Sequence, residues 1–386
     1  MSAKPAIAIA ASRLPGLDGL RGIASLMVFA YHLRWHARAS DTAPVSLPVA
    51  GFDLAPLLTR FDIGVAVFFV LSGLLLSLPF WNAILANAAP PDPRRYLWRR
   101  VCRILPAYYA VLIVVYLLRE GTYLFHGLLD FALHATFLHN FADYTYFSSL
   151  GVLWTIGIEF QFYLILPLIM AALGWLWKIG GAWLALTALF IGTWALDLGA
   201  AALIRSIEPH VPDRFLAADG SILENGTIFA YLRLFAFGIA AALAVLRWKP
   251  GRFASDLICL AALAGLGVLA ASGTEAGWAK TGGFAWPANV IVIGLLAAAV
   301  PHSRMFRQVL DSRPLIAAGT ISYGIYLWHE LVLRAVFGGT LRNNLDGWPL
   351  FLSGGALALL VTIVIAALSW FSIERRALRS PYPFQA

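Results

Sequence analysis

Apolar stretches of about 17–25 residues recur ten times along this chain, near 17–36, 61–86, 103–119, 152–174, 181–204, 227–246, 256–272, 284–300, 315–337 and 349–373. That is the length a helix needs to cross the hydrocarbon core of a bilayer. The composition agrees: 60% of the 386 residues are hydrophobic and 12% are charged, whereas soluble domains average about 25% charged. The sequence therefore predicts an all-α, polytopic membrane bundle of about ten transmembrane helices. It is read as one domain, 1–386, with tails 1–16 and 374–386 and no separate soluble domain. No internal repeat or low-complexity segment is visible.

The net charge of +8 is spread in a way that excludes a nucleic-acid binder. Basic residues cluster in short loops between spans, and alternate loops differ about twofold in their basic content. The richer side holds Arg94, Arg95, Arg99, Arg100 and Arg103, then Arg247, Lys249 and Arg252, then Arg304, Arg307 and Arg313. The bias places that side, and both termini, in the cytoplasm. The opposite side carries three longer connections, 37–60, 120–151 and 205–226. They are Pro-rich, rich in aromatics and His, and acidic, in that order. The two cysteines, Cys102 and Cys259, suggest neither a disulfide framework nor a metal site.

Within the first span, LDGLRGIASLMVFAYHLRWH, Arg21 and His32 stand eleven residues apart and so share one helix face, with Asp18 and Ser25 on the same stripe. Ionisable groups on a buried helix are costly in lipid and turn towards a bundle interior or a wet cavity. The ordinary reading is that Arg21 snorkels and His32 is a core residue. The shared face favours an active site, because a neutral imidazole can take a proton from a hydroxyl near physiological pH.

Other spans offer partners. Ser72-Gly73 reads chiefly as a close-packing pair. Arg99, Arg100 and Arg103 neighbour one another at helical spacing, as membrane anchors or as a phosphate clamp at the cytoplasmic mouth. Thr155, Glu159 and Tyr163 share a face, and Arg233 offers Glu159 an ion-pair mate. Ser322, Tyr326 and His329 share a face in the ninth span. His126, His134 and His139 lack metal-ligand spacing, so no metal is expected.

In order, LDGLRGIASLMVFAYH, FFVLSGLLLS, RRVCRILPAYY, LWTIGIEFQFYLILP, RLFAFG, ISYGIYLWH and FSIERR resemble the acyltransferase 3 family, integral-membrane enzymes that O-acetylate bacterial surface glycans. The resemblance runs from Leu17 to about Arg376. It implies an O-acyltransferase in the bacterial cytoplasmic (inner) membrane, moving an acyl group, acetyl above all, from cytoplasmic acyl-CoA to a carbohydrate hydroxyl on the outer side. The family's basic residue, ten spacers and His fall on Arg21 and His32, and its fourth-span carboxylate on Glu159, which makes these three the catalytic candidates. Its RxxR falls on Arg100 and Arg103, which with Arg99 would bind the acetyl-CoA. Arg233, Tyr163 and the late-span Tyr326 and His329 would line the acceptor side. Departures at Thr155-Ile156, Phe160 and Ala236 touch acceptor contacts. Some relatives carry an esterase-like domain after the last span, and this chain ends at Ala386, so it is expected to act alone or with a separate partner. The partners implied are acyl-CoA, a glycan or lipid-linked glycan, and the bilayer, with no nucleic acid. Oligomeric state stays open. The alternative is a secondary transporter or flippase of an anionic or lipid-linked sugar. The enzyme reading also requires a cavity that reaches His32 from the basic side.

Overall fold

A computed structural model describes residues 14–37, 47–49, 52–53, 55–118, 124–207, 226–271, 287–338 and 347–383. Among these residues, each expected span coincides with a helix. We label them α1 (Leu17–His36), α2 (Ile63–Leu85), α3 (Pro93–Leu118), α4 (153–179), α5 (182–207), α6 (Ile228–Arg247), α7 (Arg252–Ala271), α8 (Pro287–Ala299), α9 (Ser322–Phe337) and α10 (Gly347–Ser369). Among the described residues, six helical segments are long and apolar enough to cross a membrane on their own: 57–85, 93–118, 153–206, 228–247, 252–271 and 347–378. The third of these holds both α4 and α5. Their shared stretch Leu153–Ile207 breaks at Gly180 and Gly181, and Gly181 has φ 64°, a left-handed backbone that suits glycine. Ring and charge contacts show the reversal. On α4, Trp154 meets Tyr231 and Phe162 meets Phe235, whereas on α5 Phe190 meets Phe237 and Asp197 meets Arg233. Moving along α4 descends α6, and moving along α5 climbs back.

Two boundaries differ from expectation. α3 begins ten residues before 103, so the arginine-rich stretch 94–103 is helix rather than loop. Pro93 opens it with a φ already suited to a helix, and the Asp92 carboxylate accepts the Arg94 backbone N–H at 2.9 Å. The ninth span breaks at Ile321 into a short helix, Arg313–Thr320, and α9. The short helix lies against α1 so closely that a Cβ at Gly319 would fall 1.9 Å from the Asp18 carbonyl oxygen.

α2 is the centre of the bundle. Gly73 and Gly238 let it meet α6 backbone to backbone, since a Cβ at Gly73 would lie 2.3 Å from the Phe235 carbonyl oxygen. Trp81, fully buried, donates its Nε1–H to the Ile239 carbonyl at 2.9 Å. α1 and α9 fall outside the six self-sufficient spans. Both pack inside, α1 on α2 and α9, and α9 on α10, so neither has to present an apolar surface all round. Of the outer connections, 37–60 carries a two-residue antiparallel ladder, Pro48–Val49 with Phe52–Asp53, and 120–151 carries a helix, Leu124–Ala135. Residues 208–225, which hold most of the acidic charge expected there, lie outside the described residues, as do Lys4, Arg13, Arg38, Arg119, Arg214, Lys280 and Arg342.

Candidate active site

α1 and α9 bring two imidazoles together. His32 Nδ1 lies 2.9 Å from the Val28 carbonyl oxygen and 3.2 Å from His329 Nε2. His329 Nδ1 lies 3.1 Å from the Ile325 carbonyl and 2.8 Å from the Tyr326 carbonyl. Carbonyl oxygens only accept, so in the neutral rings both Nδ1 atoms carry the proton and both Nε2 atoms carry the lone pair. His329 Nε2 is then an acceptor for His32 Nδ1–H. The nitrogen of His32 left for a substrate is Nε2, a base. His329 itself is fully buried. The sequence puts it on the acceptor side; in the structure it contacts His32 and is not among the residues that line the adjoining cavity.

His32 lines a cavity of about 400 Å³ at the C-terminal end of α1. Aromatic side chains dominate its wall, among them Tyr31, Tyr146, Trp154, Tyr231 and Tyr326. Such rings suit the apolar faces of sugars. Glu330 also lines it. One Glu330 oxygen accepts the Val152 backbone N–H at 2.9 Å, the other accepts Arg334 at 2.5 Å, and Arg334 reaches the Ser149 carbonyl at 3.1 Å. This clamp ties α9 to the start of α4. Sequence reasoning passed over Glu330, although its spacing of four from Arg334 is the helical ion-pair signal.

Inward of that cavity sits a void of about 30 Å³, walled by Arg21, Glu159, Thr155, Tyr323 and Tyr326. Arg21 and Glu159 therefore face one small space, and the Arg21 Nε–H is buried without a hydrogen-bond partner. The Thr155 and Tyr326 hydroxyls are 2.6 Å apart. Glu159 does not pair with Arg233. It accepts the Ser72 hydroxyl at 2.5 Å and the Tyr163 hydroxyl at 2.7 Å, while Arg233 is bound 2.7 Å from Asp197 on α5. Glu159 already has two donors, and Asp197 supplies a carboxylate from an otherwise apolar stretch of α5. Ser72 thus serves the site, and its neighbour Gly73 serves the packing. Tyr163 is four residues further inward than Glu159, away from the outer cavity.

A second large cavity, about 410 Å³, opens beside the start of α3. Arg95, Arg99 and Arg100 line it together with Asp92, Tyr96 and Phe80. The Arg100 Nε–H and the Tyr96 hydroxyl are buried without hydrogen-bond partners. Arg103 is not among its lining residues. Its guanidinium lies 3.6 Å from the buried Glu374 carboxylate and over the rings of Tyr323 and Trp370, at 5.7 and 5.4 Å. The outer cavity shares Val65 and Tyr326 with the small void, but the void shares no wall residue with the arginine cavity. Glu159, held by Ser72 and Tyr163, lies on the wall of the small void. His32 thus lines an aromatic-walled cavity that shares no wall residue with the arginine cavity.

On the outer connection, His134 and His139 stack at 4.1 Å, and Asp130, 3.1 Å from His134 Nδ1, also accepts Tyr116 and Ser148. Parallel rings cannot aim two lone pairs at one ion. Among the described residues, no group of three or more His, Cys, Asp or Glu is arranged to hold a metal.

Residues 14–367 match the family described as the Acyltransferase domain. The chain is 29% identical to a putative peptidoglycan O-acetyltransferase, YrhL, of Bacillus subtilis (strain 168), over 94% of this chain and 54% of that protein. It is 26% identical to a putative O-acetyltransferase of Staphylococcus aureus (strain COL) and 25% identical to the O-acetyltransferase OatA of Staphylococcus aureus (strain NCTC 8325 / PS 47). Each of these matches covers 94% of this chain and 56% of the relative. The chain thus spans about half the length of these relatives. No solved structure matches it. A family match across nearly the whole helical bundle, with Arg21, His32 and Glu159 inside the matched region, leaves one conclusion: the chain belongs to the acyltransferase family.

Proposed function

We propose that this protein transfers an acyl group, acetyl in the simplest case, from acyl-CoA held at the basic end of the bundle to a carbohydrate hydroxyl in the outer cavity. The membrane is then a bacterial inner membrane, with the basic end and both termini in the cytoplasm. The observation that carries this reading is the His32 ring, whose Nδ1 is tied back to Val28 and His329 while Nε2 is left to a cavity walled by aromatics.

The division of labour follows from position. Arg95, Arg99 and Arg100 hold the donor's phosphates, because guanidinium forks match phosphate oxygens. Arg103, engaged by Glu374, acts as a tether between α3 and the end of α10 rather than as a ligand. Arg21 lies about 16 Å from His32 along α1, at 1.5 Å per residue. It therefore addresses the donor's arm, not the carbonyl that reacts beside His32. There the acceptor hydroxyl gives its proton to Nε2 as its oxygen attacks the thioester carbonyl. The C–S bond breaks, and the CoA thiolate leaves and takes up the proton. His329 is a positioning residue that accepts the Nδ1–H of the imidazolium formed. Trp154 and Tyr231 offer stacking faces to the sugar. The acyl end reaches His32 only when the Ser72–Glu159–Tyr163 group parts.

The test is purified protein in lipid with radiolabelled acetyl-CoA and a glycan acceptor. His32→Ala is expected to lower transfer by about 10²–10⁴-fold, the usual share of a general base, without changing insertion or thermal midpoint. Full transfer by that variant overturns the reading. A transporter would leave the thioester intact in both proteins.

A further inference from the structure

A third cavity, about 380 Å³, shares no wall residue with the arginine cavity and also lies at an arginine-rich end. It is formed where α7 begins and where the chain leaves α8. Arg252, Arg304 and Arg307 converge on it, joined by His302 and Gln308. The His302 Nε2 is buried without a hydrogen-bond partner. Arg307 is 3.4 Å from Asp311. The Asp311 carboxylate also accepts the Gly16 backbone N–H at 2.7 Å, at the start of α1. The Arg252 and Arg304 side chains make no hydrogen bond or ion pair among the described residues. Asp256, beside Arg304, directs one carboxylate oxygen at the Ser303 hydroxyl and at the backbone N–H groups of Arg304 and Met305. Three guanidiniums thus line the recess with one carboxylate, Asp311, which Arg307 and the Gly16 N–H share, while Asp256 is engaged by Ser303 and two backbone N–H groups.

Exposed apolar side chains neighbour these arginines in the sequence: Phe253 is 76% exposed, Val309 59% and Met305 41%. A cationic recess at the end of a membrane helix, with exposed apolar side chains on the same segments, suits a phospholipid, with phosphate in the recess and acyl chains against the apolar side chains. We infer that this recess binds the phosphate headgroup of an anionic phospholipid through Arg252, Arg304 and Arg307. The site does not depend on the acyl-transfer reading. It also touches the catalytic helix, because Asp311 holds the first turn of α1 from the recess wall.

The test compares the whole protein with the double variant Arg252→Gln/Arg304→Gln, which leaves the Arg307–Asp311–Gly16 contact in place. Both are placed in phosphatidylcholine nanodiscs, with and without phosphatidylglycerol. A second arm adds inorganic phosphate at matched ionic strength to nanodiscs of phosphatidylcholine alone. Native mass spectrometry counts retained phosphatidylglycerol, and a thermal scan reads stabilisation. The expected result is that the wild type retains phosphatidylglycerol and is stabilised by it. The variant should bind it roughly tenfold or more weakly, as loss of two interfacial arginines implies. Inorganic phosphate should do little. Stabilisation of the wild type by inorganic phosphate, but not by phosphatidylglycerol, overturns the lipid assignment in favour of a soluble phosphate ligand. Equal behaviour of wild type and variant in both arms overturns the site.

Discussion

At the scale of single residues, the two arginines of the RxxR pair have parted company. Arg100 faces a cavity and Arg103 faces a carboxylate. Removing one partner of a buried ion pair strands the other charge, at a cost of about 3 kcal/mol. Arg103→Gln is therefore expected to lower the thermal midpoint while leaving the KM for acyl-CoA within about twofold. Adding Glu374→Gln should restore part of the loss, because the stranded carboxylate is gone. Arg99→Gln should do the reverse, raising KM with little effect on stability. His139 makes a pH prediction. Burial, aided by the charge of His134 nearby, pushes its pKa down to about 3 from 6.5. The folded protein therefore binds fewer protons than the unfolded chain between those values. Stability is whole above about pH 6.5 and declines as pH falls towards 3. A thermal-midpoint titration of wild type against His139→Gln should show a shallower acid decline in the variant.

Helix against helix, the bundle depends on places where no side chain fits. A methyl at Gly73 would press into the Phe235 carbonyl, which is backbone and cannot rotate away. Gly73→Ala is expected to destabilise by about 1–3 kcal/mol or more. At Gly192 on α5 a Cβ would meet nothing within 4 Å. There, replacing a helical glycine with alanine should be neutral or stabilise by up to about 1 kcal/mol. Comparing the two variants by thermal scan separates close packing from helix propensity. The Glu330 clamp belongs to this scale too, because it fixes α9 to α4 and thereby sets where His329 stands behind His32.

For the molecule as a whole, the telling feature is two cavities of about 400 and 410 Å³ that share no wall residue. On the proposed reading, the Ser72–Glu159–Tyr163 group is the barrier that keeps water in the His32 cavity from a donor bound at the arginines. Ser72 and Tyr163 are the donors that hold Glu159 in place. The double variant Ser72→Ala/Tyr163→Phe is therefore expected to leak. CoA release from acetyl-CoA in the absence of acceptor should rise severalfold over wild type, measured with a thiol reagent. No rise would remove the barrier role from this group.

The ten helices, the shared face of Arg21 and His32, and the neighbouring arginines were all legible in the sequence. Each is fixed by local rules of length, apolarity and 3.6-residue periodicity. The choice of partners was not legible. Glu159 has Ser72 and Tyr163 rather than Arg233, Arg103 has Glu374, 271 positions away in the chain, and His32 has His329, 297 positions away. Periodicity says which side of a helix a residue is on, and only the packing of helices distant in the chain decides what that side meets.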